Sequence, residues 1–480
     1  MTVITTHFNE FPVQLLAALL LSVLLLGCSS GEKDTKLRPD PVDSITTNRG
    51  DGAISVGWEY SGDPAVSFVV ELDPTPASAS TTISGQTALI QGLANNVNYT
   101  LSVRTRSTGL LSDAVSASVN PMAVDTANYT ALTVNNDPSL SGIFDPSFYR
   151  DNSGTIWMAY SGVDYYQAGG FLVQDVSTRL ARSDDGGMTF TLVTTLGTAQ
   201  DVASVTDTSG TLGCAANTCS GRWVYEVPFI VDDANTPNAS ERFKIYAHKY
   251  LLMPSASSAT VYFLGAIVRW TAPTPDSAWS TEEVVMRWNF TPPELVGGVN
   301  LNQLASQLSD CLLFSEGGAS VGAINNQTVT ESVFSCAYID AGSSSIRQRI
   351  VQFRTADHDQ SFSYTGEVLS ANDAAISGAS YYSAPSLLPR IDSAPVILVT
   401  SVINGLYAGC EVFSYTDFAS ATLARDSGDP ISLLTVPQLA TNFGGACAWD
   451  RGLNSTGITL NNVNVGNAKP FTVLNTDHPL

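Results

Sequence analysis

The chain has 480 residues, of which 44% are hydrophobic and 14% charged, and its formal net charge at pH 7 is −22. A chain this acidic, whose Lys and Arg residues form no basic stripe, is not expected to bind nucleic acid, because phosphate groups attract clustered cations. The hydrophobic fraction is sufficient for a large buried core, and the length favours two or three domains.

An apolar stretch near the N-terminus, VQLLAALLLSVLLLG at residues 13–27, is followed directly by Cys28. It is short for a membrane span and has the length of the apolar region of a signal peptide, so residues 1–27 are predicted to be removed on export. The letters LLGC resemble a bacterial lipobox. This resemblance implies that Cys28 becomes the lipidated first residue and that residues 28–40 form a tether.

The expected location is therefore the bacterial cell envelope, with the lipid as the only membrane contact. Ser29 resembles the residue that directs such lipoproteins to the outer membrane, facing the periplasm or the surface. The segment before the apolar stretch has no Lys or Arg and carries Glu10, which departs from the lipoprotein pattern. An ordinary signal peptide with an incidental Cys28 is the alternative.

Six cysteines remain in the later part of the chain: Cys214, Cys219, Cys311, Cys336, Cys410 and Cys447. An even number in an exported chain favours disulfides, and pairing in chain order (214–219, 311–336, 410–447) is the simplest connectivity. No Cys-x-x-Cys occurs and the chain has only 4 His, so no metal site and no cofactor are predicted. A structural calcium ion is left open.

Residues 41–122 have the pattern of a small β-sandwich. Apolar and polar residues alternate in short runs such as AISVGWE and YTLSVRT, which are separated by Gly, Pro and Asn. The segments GAISVGWEY, LIQGLANNVNYTLSVRTRS and SDAVSASV resemble a fibronectin type III domain. The resemblance implies that Trp58 is the core tryptophan and that Leu93 and Tyr99 form a tyrosine corner, in which the hydroxyl bonds to upstream backbone.

The sandwich also contains the letters NRGD, from Asn48 to Asp51. Arg-Gly-Asp can bind integrins when it projects from a loop. Gly-Asp-Gly is, however, ordinary turn chemistry, and the turn is the favoured interpretation.

Residues 130–480 repeat a strand-turn-strand unit. Three similar openings begin at Phe144 (FDPSFYRD), Tyr225 (YEVPFIVDD) and Tyr382 (YSAPSLLPR), each with x-Pro followed by an apolar run. Repetition of this kind, without a convincing amphipathic helix, predicts a β-propeller of five blades, or of six smaller ones. The predicted fold is therefore all-β: a fibronectin-type sandwich followed by a propeller.

The segment RSDDGGMTF supports the propeller. Ser183, Asp185, Gly187, Thr189 and Phe190 match the Asp box of sialidase-like propellers, and RTADHDQSF at residues 354–362 is a degenerate second copy. In that family the box lies in outer blade turns. The resemblance therefore implies that Asp185 organises a turn and takes no part in chemistry, with Asp184 solvated.

The first opening resembles five-bladed glycosidases of the arabinanase and xylosidase type, which places a catalytic base at Asp145. Glycoside hydrolysis commonly needs a second carboxyl group, and Glu226 is the best candidate. Glu316 and Glu331 are weaker candidates for a third. The third opening has Ala384 before its proline, so the family's set of three carboxylates is not expected to be complete. Weak candidates for stacking on sugar rings are Tyr165, Tyr166 and Tyr382, with the neighbouring Tyr381.

Two functions follow from these residues. The first is a surface glycoside hydrolase that uses Asp145 with an acidic partner. The second is a non-catalytic propeller that binds a glycan or a surface protein, with the sandwich as a spacer. Sialidase activity is not expected, because the arginines that would bind a substrate carboxylate are missing from the blade openings. His248 is expected to be structural and His358 to be solvated in its turn.

Overall fold

The structure is a computed structural model that describes residues 38–125, 129–168, 171–210, 214–253, 264–324, 327–340, 342, 345–388, 393–438, 444–450, 458–462, 471–476 and 478. The side chains of residues 165–174 and 458–462 are not described. The predicted signal peptide (residues 1–27) and Cys28 lie outside these ranges. No helix within them is long and apolar enough to cross a membrane.

The first unit consists of two facing sheets. Its strands are β1 (Ser44–Gly50), β2 (Ala53–Glu59), β3 (Ser67–Asp73), β4 (Ser80–Ser84), β5 (Thr87–Gln91), β6 (Tyr99–Ser107), β7 (Leu110–Leu111) and β8 (Val115–Val119). One sheet has the order β1-β2-β5-β4, and the other joins β3, β7 and β8 to β6. This order, with the fourth strand on the first sheet, is that of constant-type immunoglobulin sandwiches. The fibronectin type III assignment stays a prediction.

The alternating pattern of β2 fills the sandwich core from one side of the strand. Ile54, Val56 and Trp58 are almost fully buried in this core together with Tyr99. The Tyr99 hydroxyl accepts a hydrogen bond of 3.2 Å from the backbone N–H of Ala94, which is the upstream bond that a tyrosine corner requires.

The opposite side of β2 packs against the second unit. A Cβ atom added to Gly57 would lie 1.2 Å from the Ser393 carbonyl oxygen, so only Gly permits this close approach. The buried Asn48 amide donates to the Ala394 carbonyl at 2.9 Å, and the Asp51 N–H donates to the Leu433 carbonyl at 3.1 Å. The NRGD segment is therefore the end of β1 and the first residue of the turn that follows it, and it contacts the second unit. The sandwich is docked there, and so does not act as a free spacer.

The second unit is built of strands with short helices between them. Its strands are β9 (Thr130–Ala131), β10 (Thr133–Asn135), β11 (Gly142–Arg150), β12 (Ile156–Ala168), β13 (Phe171–Ser183), β14 (Thr189–Gly197), β15 (Gln200–Thr206), β16 (Thr218–Asp232), β17 (Phe243–Leu252), β18 (Gly265–Ala272), β19 (Glu283–Arg287), β20 (Gly297–Asn300), β21 (Leu313–Ile324), β22 (Gln327–Ile339), β23 (Ile346–Thr355), β24 (Ser363–Leu369), β25 (Tyr381–Leu387), β26 (Val396–Ile403), β27 (Leu406–Asp417), β28 (Thr422–Leu423), β29 (Arg425–Asp426), β30 (Asp429–Pro430), β31 (Ser432–Pro437), β32 (Gly445–Trp449), β33 (Ile458–Asn462) and β34 (Thr472–Asn475). The helices are α1 (Ala371–Ile376) and the 3-10 turns Ala215–Asn217, Ala239–Glu241, Leu301–Gln303, Ser306–Leu308 and Phe418–Ser420.

Within the described ranges these strands form five larger sheets, here called blades 1 to 5, and a two-stranded sheet of β29 and β30. Blade 1 is β10–β14, blade 2 is β15–β20, blade 3 is β21–β24, blade 4 is β25–β28 with β31, and blade 5 is β32–β34 with β9. The inner strands β11, β16, β21, β25 and β32 contact one another in this order, and β32 contacts β11. The ring is therefore closed, and pairing of the early β9 with the late β34 ties its two ends together. The predicted all-β propeller is confirmed.

The two Asp-box segments have the same hydrogen bonds at the same offsets. Asp185 accepts from the Thr189 N–H at 3.0 Å and from the Thr189 hydroxyl at 2.6 Å. Asp357 accepts from the Ser361 N–H at 2.9 Å and from the Ser361 hydroxyl at 2.5 Å. These bonds lower the pKa of Asp185 to about 2. Asp184 is largely exposed and pairs with Arg182, so both aspartates belong to the turn.

The described residues contain three disulfides, Cys214–Cys219, Cys311–Cys336 and Cys410–Cys447. This is pairing in chain order. The last of them joins β27 of blade 4 to β32 of blade 5, and so fastens the blade that carries the C-terminal end of the ring. Crosslinks of this kind stabilise a fold mainly by restricting the unfolded chain.

Candidate active site

Each inner strand is interrupted by a bulge. The register shifts there, and one residue has a positive φ between 42° and 52°. These left-handed residues are Asp145, Val227, Glu316, Ala384 and Ala446. A bulge re-aims side chains. Four of these residues line a cavity that every inner strand borders, and β21 borders it with Gly317 in place of Glu316. The bulges thus define the axial site.

Asp145 is the bulge residue of β11 and the most enclosed carboxyl group of the site. Its side chain is buried, with 4% of the residue exposed. Its Oδ2 accepts a hydrogen bond of 3.0 Å from the Ser161 hydroxyl on β12. Burial raises the pKa of Asp145 well above its usual value, and the charges of Glu226 and Glu316 raise it further, while bonds from Ser161 and the Val227 N–H oppose the rise.

Glu226 is the residue immediately before the bulge of β16. It is partly exposed, and its Oε2 accepts a hydrogen bond of 2.7 Å from the Tyr250 hydroxyl on β17. Burial raises the pKa of Glu226 to about 7; the Tyr250 bond opposes the rise, and the nearby Glu316 adds to it. A carboxyl group of this kind still holds its proton in a large fraction of molecules at neutral pH.

Glu316 supplies a third carboxylate, which corrects the expectation that the set would be incomplete. It is the bulge residue of β21, where Gly317 stands in place of the proline of the other openings. Its Oε1 accepts from the Tyr407 hydroxyl at 3.0 Å, and its Oε2 accepts from the Ala384 N–H at 3.0 Å and from the Ser383 hydroxyl. Ala384 therefore has no acidic side chain, but its backbone N–H donates a hydrogen bond to the carboxylate of Glu316 on the neighbouring blade.

Two aromatic side chains border the carboxylates. The Tyr407 ring stacks on Phe144 at a centroid distance of 6.3 Å, and burial together with the three carboxylates raises the pKa of its hydroxyl, so Tyr407 stays neutral and donates its proton. Tyr381, at the start of β25, is partly exposed, and its pKa is raised by burial and by the charge of Glu316.

Tyr382 was predicted to stack on a sugar ring, and the structure corrects this prediction. It is 2% exposed in an apolar cluster, and its hydroxyl bonds to Ser377 at 2.9 Å. Neighbouring side chains on a strand point to opposite faces, so Tyr382 faces the core while Tyr381 lies near Glu316. Tyr165 and Tyr166 lie on β12, but their side chains are outside the described part of the chain.

Glu331, His248 and His358 are not part of the carboxylate group, although His248 lies opposite Glu226 on β17. Glu331 is fully buried and paired with Arg354. His248 is 2% exposed beside Tyr250 and Trp288, and burial lowers its pKa to about 3, so it is a neutral packing residue. His358 is not merely solvated, as was expected, because its Nδ1 lies 2.7 Å from Asp233. No cluster of three His, Cys, Asp or Glu side chains suited to a metal ion occurs among the described residues.

Sequence reasoning missed the hydroxyl groups that surround the carboxylates. Ser161, Tyr250 and Tyr407 lie on second or third strands of their blades, and no motif marks them. Only the strand pairing shows their position: Ser161 lies opposite Phe144, the residue before the first bulge.

No protein family model matches the chain, and no curated protein matches it in sequence. Among solved structures it is similar to Zg3597, a family 117 glycoside hydrolase of the marine bacterium Zobellia galactanivorans, with a TM-score of 0.40, 11% identity, and coverage of 72% of this chain and 89% of that one. An alpha-L-arabinofuranosidase from Lactobacillus brevis has a TM-score of 0.39, 9% identity, and coverage of 72% and 92%. The Hadza microbial sialidase Hz136 has a TM-score of 0.38, 10% identity, and coverage of 89% and 83%. Likenesses this distant carry no argument about activity, and the propeller is evident from the ring of sheets itself.

Proposed function

We propose that the chain is a glycoside hydrolase whose active site is the group of carboxylates Asp145, Glu226 and Glu316. The observation that carries the proposal is their convergence from three blades, close enough for Glu226 and Glu316 to raise the pKa of Asp145. Burying carboxyl groups of like charge together costs folding free energy. Such an arrangement is typical of sites that use acid and base groups in catalysis.

Glu226 is assigned as the general acid. It is partly exposed, and its pKa of about 7 leaves a proton available for the oxygen of the leaving group. The hydroxyl of Tyr250 fixes the position of its Oε2. The separation of the two carboxyl groups in a substrate complex decides whether Asp145 attacks the sugar directly or activates water.

Glu316 is assigned as the fixed negative charge of the site. Its two oxygens are held by Tyr407, Ser383 and the Ala384 N–H, so it is less free to move than Glu226. A fixed anion beside the reacting carbon favours the positive charge that develops on the sugar in the transition state. The partly exposed ring of Tyr381 offers an aromatic surface for a sugar.

The test is a release assay on a panel of aryl glycosides that covers pentofuranosides, pentopyranosides and hexopyranosides. We expect the purified chain to release the aryl group from at least one of them. If no glycoside is cleaved but the protein binds immobilised glycans, the propeller is a binding module, and the catalytic proposal is rejected.

We also propose that the protein is exported and anchored to the bacterial cell envelope through Cys28. The three disulfides support an oxidising compartment. When the chain is expressed in a bacterium with labelled palmitate, we expect label in the wild-type chain and none in Cys28→Ser. Equal label in both, or none in either, would reject the anchor.

A further inference from the structure

Blade 4 has an inter-blade hydrogen bond made by a buried threonine. Thr400, on the second strand β26, lies opposite Ser383, the residue before the bulge. Its hydroxyl accepts a hydrogen bond of 2.7 Å from the N–H of Ala446, the bulge residue of blade 5. This bond satisfies a buried backbone N–H that the bulge has removed from its sheet. The bulge residues of β25 and β32, Ala384 and Ala446, are not acidic, so Thr400 has no carboxyl group of its own bulge to bind, and its role is structural.

Ser161 makes the same bond between blades 1 and 2. It lies on β12 opposite Phe144 and is fully buried. Its hydroxyl accepts a hydrogen bond of 3.0 Å from the N–H of Val227, the bulge residue of blade 2. Unlike Thr400, Ser161 also has a carboxylate beside it, because its Oγ lies 3.0 Å from the Oδ2 of Asp145.

The bond from Val227 decides which way the serine proton points. A hydroxyl has one proton to donate, and its oxygen can accept from other groups. The N–H of Val227 can only donate, so it takes an acceptor position on the serine oxygen and leaves the proton for Asp145. The carboxylate thus meets a donor that the next blade has already oriented, and both side chains are buried.

We propose that Ser161 is a positioning residue that orients Asp145 and favours its ionised form, through a hydroxyl oriented by the backbone of the next blade. The proposal rests on the glycoside hydrolase function proposed above. The titratable groups that face Asp145 from neighbouring strands are Glu226 on β16, Glu316 on β21 and Tyr407 on β27. Both acids disfavour the ionised form of Asp145. Ser161, from β12, favours it, as the Val227 N–H does.

The chain offers matched controls at the equivalent positions. Thr400→Val removes the same inter-blade bond in a blade whose bulge residue, Ala384, carries no carboxyl group. Ser335→Ala removes a buried hydroxyl that has no partner among the described residues, because the Ala384 N–H of the next blade donates to Glu316 instead. Ser161→Thr keeps the hydroxyl, and the equivalent position in blade 4 already holds a threonine.

The test compares the pH profiles of kcat/KM for these variants with that of the wild type. In Ser161→Ala, Asp145 loses a donor to its charged form, so we expect the acid limb to move up by roughly one pH unit and the rate on that limb to fall about tenfold. Thr400→Val and Ser335→Ala should leave the limb in place, and Ser161→Thr should restore it. An unmoved limb in Ser161→Ala, or an equal shift in Thr400→Val, overturns the proposal.

A second readout does not depend on turnover. Asp145 is costly to ionise in the folded state, so the stability of the protein falls as the pH rises through the raised pKa of Asp145. Loss of Ser161 should enlarge the fall in melting temperature between pH 5 and pH 9, whereas loss of Thr400 should lower the melting temperature equally at both pH values. If the wild type cleaves no glycoside, the proposed function fails. The proposed role of Ser161 is rejected separately if the melting temperatures of Ser161→Ala and Thr400→Val have the same pH dependence.

Discussion

Replacing Asp145 by Asn is expected to reduce kcat by roughly 10²–10⁴-fold, the usual contribution of an acid or base group, while making the fold more stable at neutral pH. The amide has nearly the same shape, and Asn tolerates the left-handed conformation of the bulge, so the backbone should not change. The variant removes a buried carboxyl group that burial and two neighbouring acids disfavour in its charged form. Kinetics on the best glycoside of the panel and urea unfolding at pH 7 measure the two effects.

Asp185→Asn is the matched control, since it makes the same chemical change in an outer turn. The pKa of Asp185 is lowered to about 2 by hydrogen bonds from Thr189 and Ser183. Its charged form therefore stabilises the fold above the ordinary pKa of Asp, and this stability is lost as the pH falls through about 2. Asp185→Asn should be less stable than the wild type at pH 7 and fully active. A catalytic role for Asp145 is refuted if both variants keep their activity.

Replacing Glu226 by Gln is expected to remove a pH dependence from both activity and stability. In the wild type the proton of Glu226 is lost as the pH rises through about 7, so kcat should fall above this pH. Gln cannot donate a proton to the leaving oxygen. The loss should be large for poor leaving groups and small for a leaving group such as dinitrophenolate, which departs without protonation.

The stability of the Glu226 variant follows from the same pKa. An acid with a raised folded pKa destabilises the fold once it is ionised, so the wild type should lose roughly 1–3 kcal/mol between pH 5 and pH 9 from this group. Glu226→Gln should lack this loss, and Glu59→Gln, an exposed site in the sandwich, should retain it. Equal pH slopes of the free energy of unfolding in the wild type and Glu226→Gln would contradict the assignment of Glu226 as the acid.

Local patterns predicted much of this protein, because they act over a few residues. Period-two alternation marks the strands of both units, and the Asp-box residues mark turns whose hydrogen bonds span only four residues. The x-Pro openings marked three of the five bulges, and with them Asp145. Glu226 stands two residues before such a proline, and the structure brings it near Asp145.

Closure of the propeller ring determines which side chains meet at the site. Because Ala384 at the third opening is not acidic, the sequence predicted an incomplete set of three carboxylates. The third carboxylate is instead that of Glu316, at a bulge without a proline. Tyr381 and Tyr382 could not be told apart in the sequence, whereas strand pairing sends one towards the site and the other into the core. The docking of the sandwich against Ser393 depends likewise on a surface formed by distant residues.

The sequence by itself thus determined the strands, the turns, the propeller class and the first carboxyl group. Each depends on hydrogen bonds and alternation within a short segment. Only the tertiary structure decided which acids meet, which hydroxyl groups hold them and how their pKa values shift. Those properties depend on burial and on charges carried by strands far apart in the chain, which closure of the ring brings to one axis.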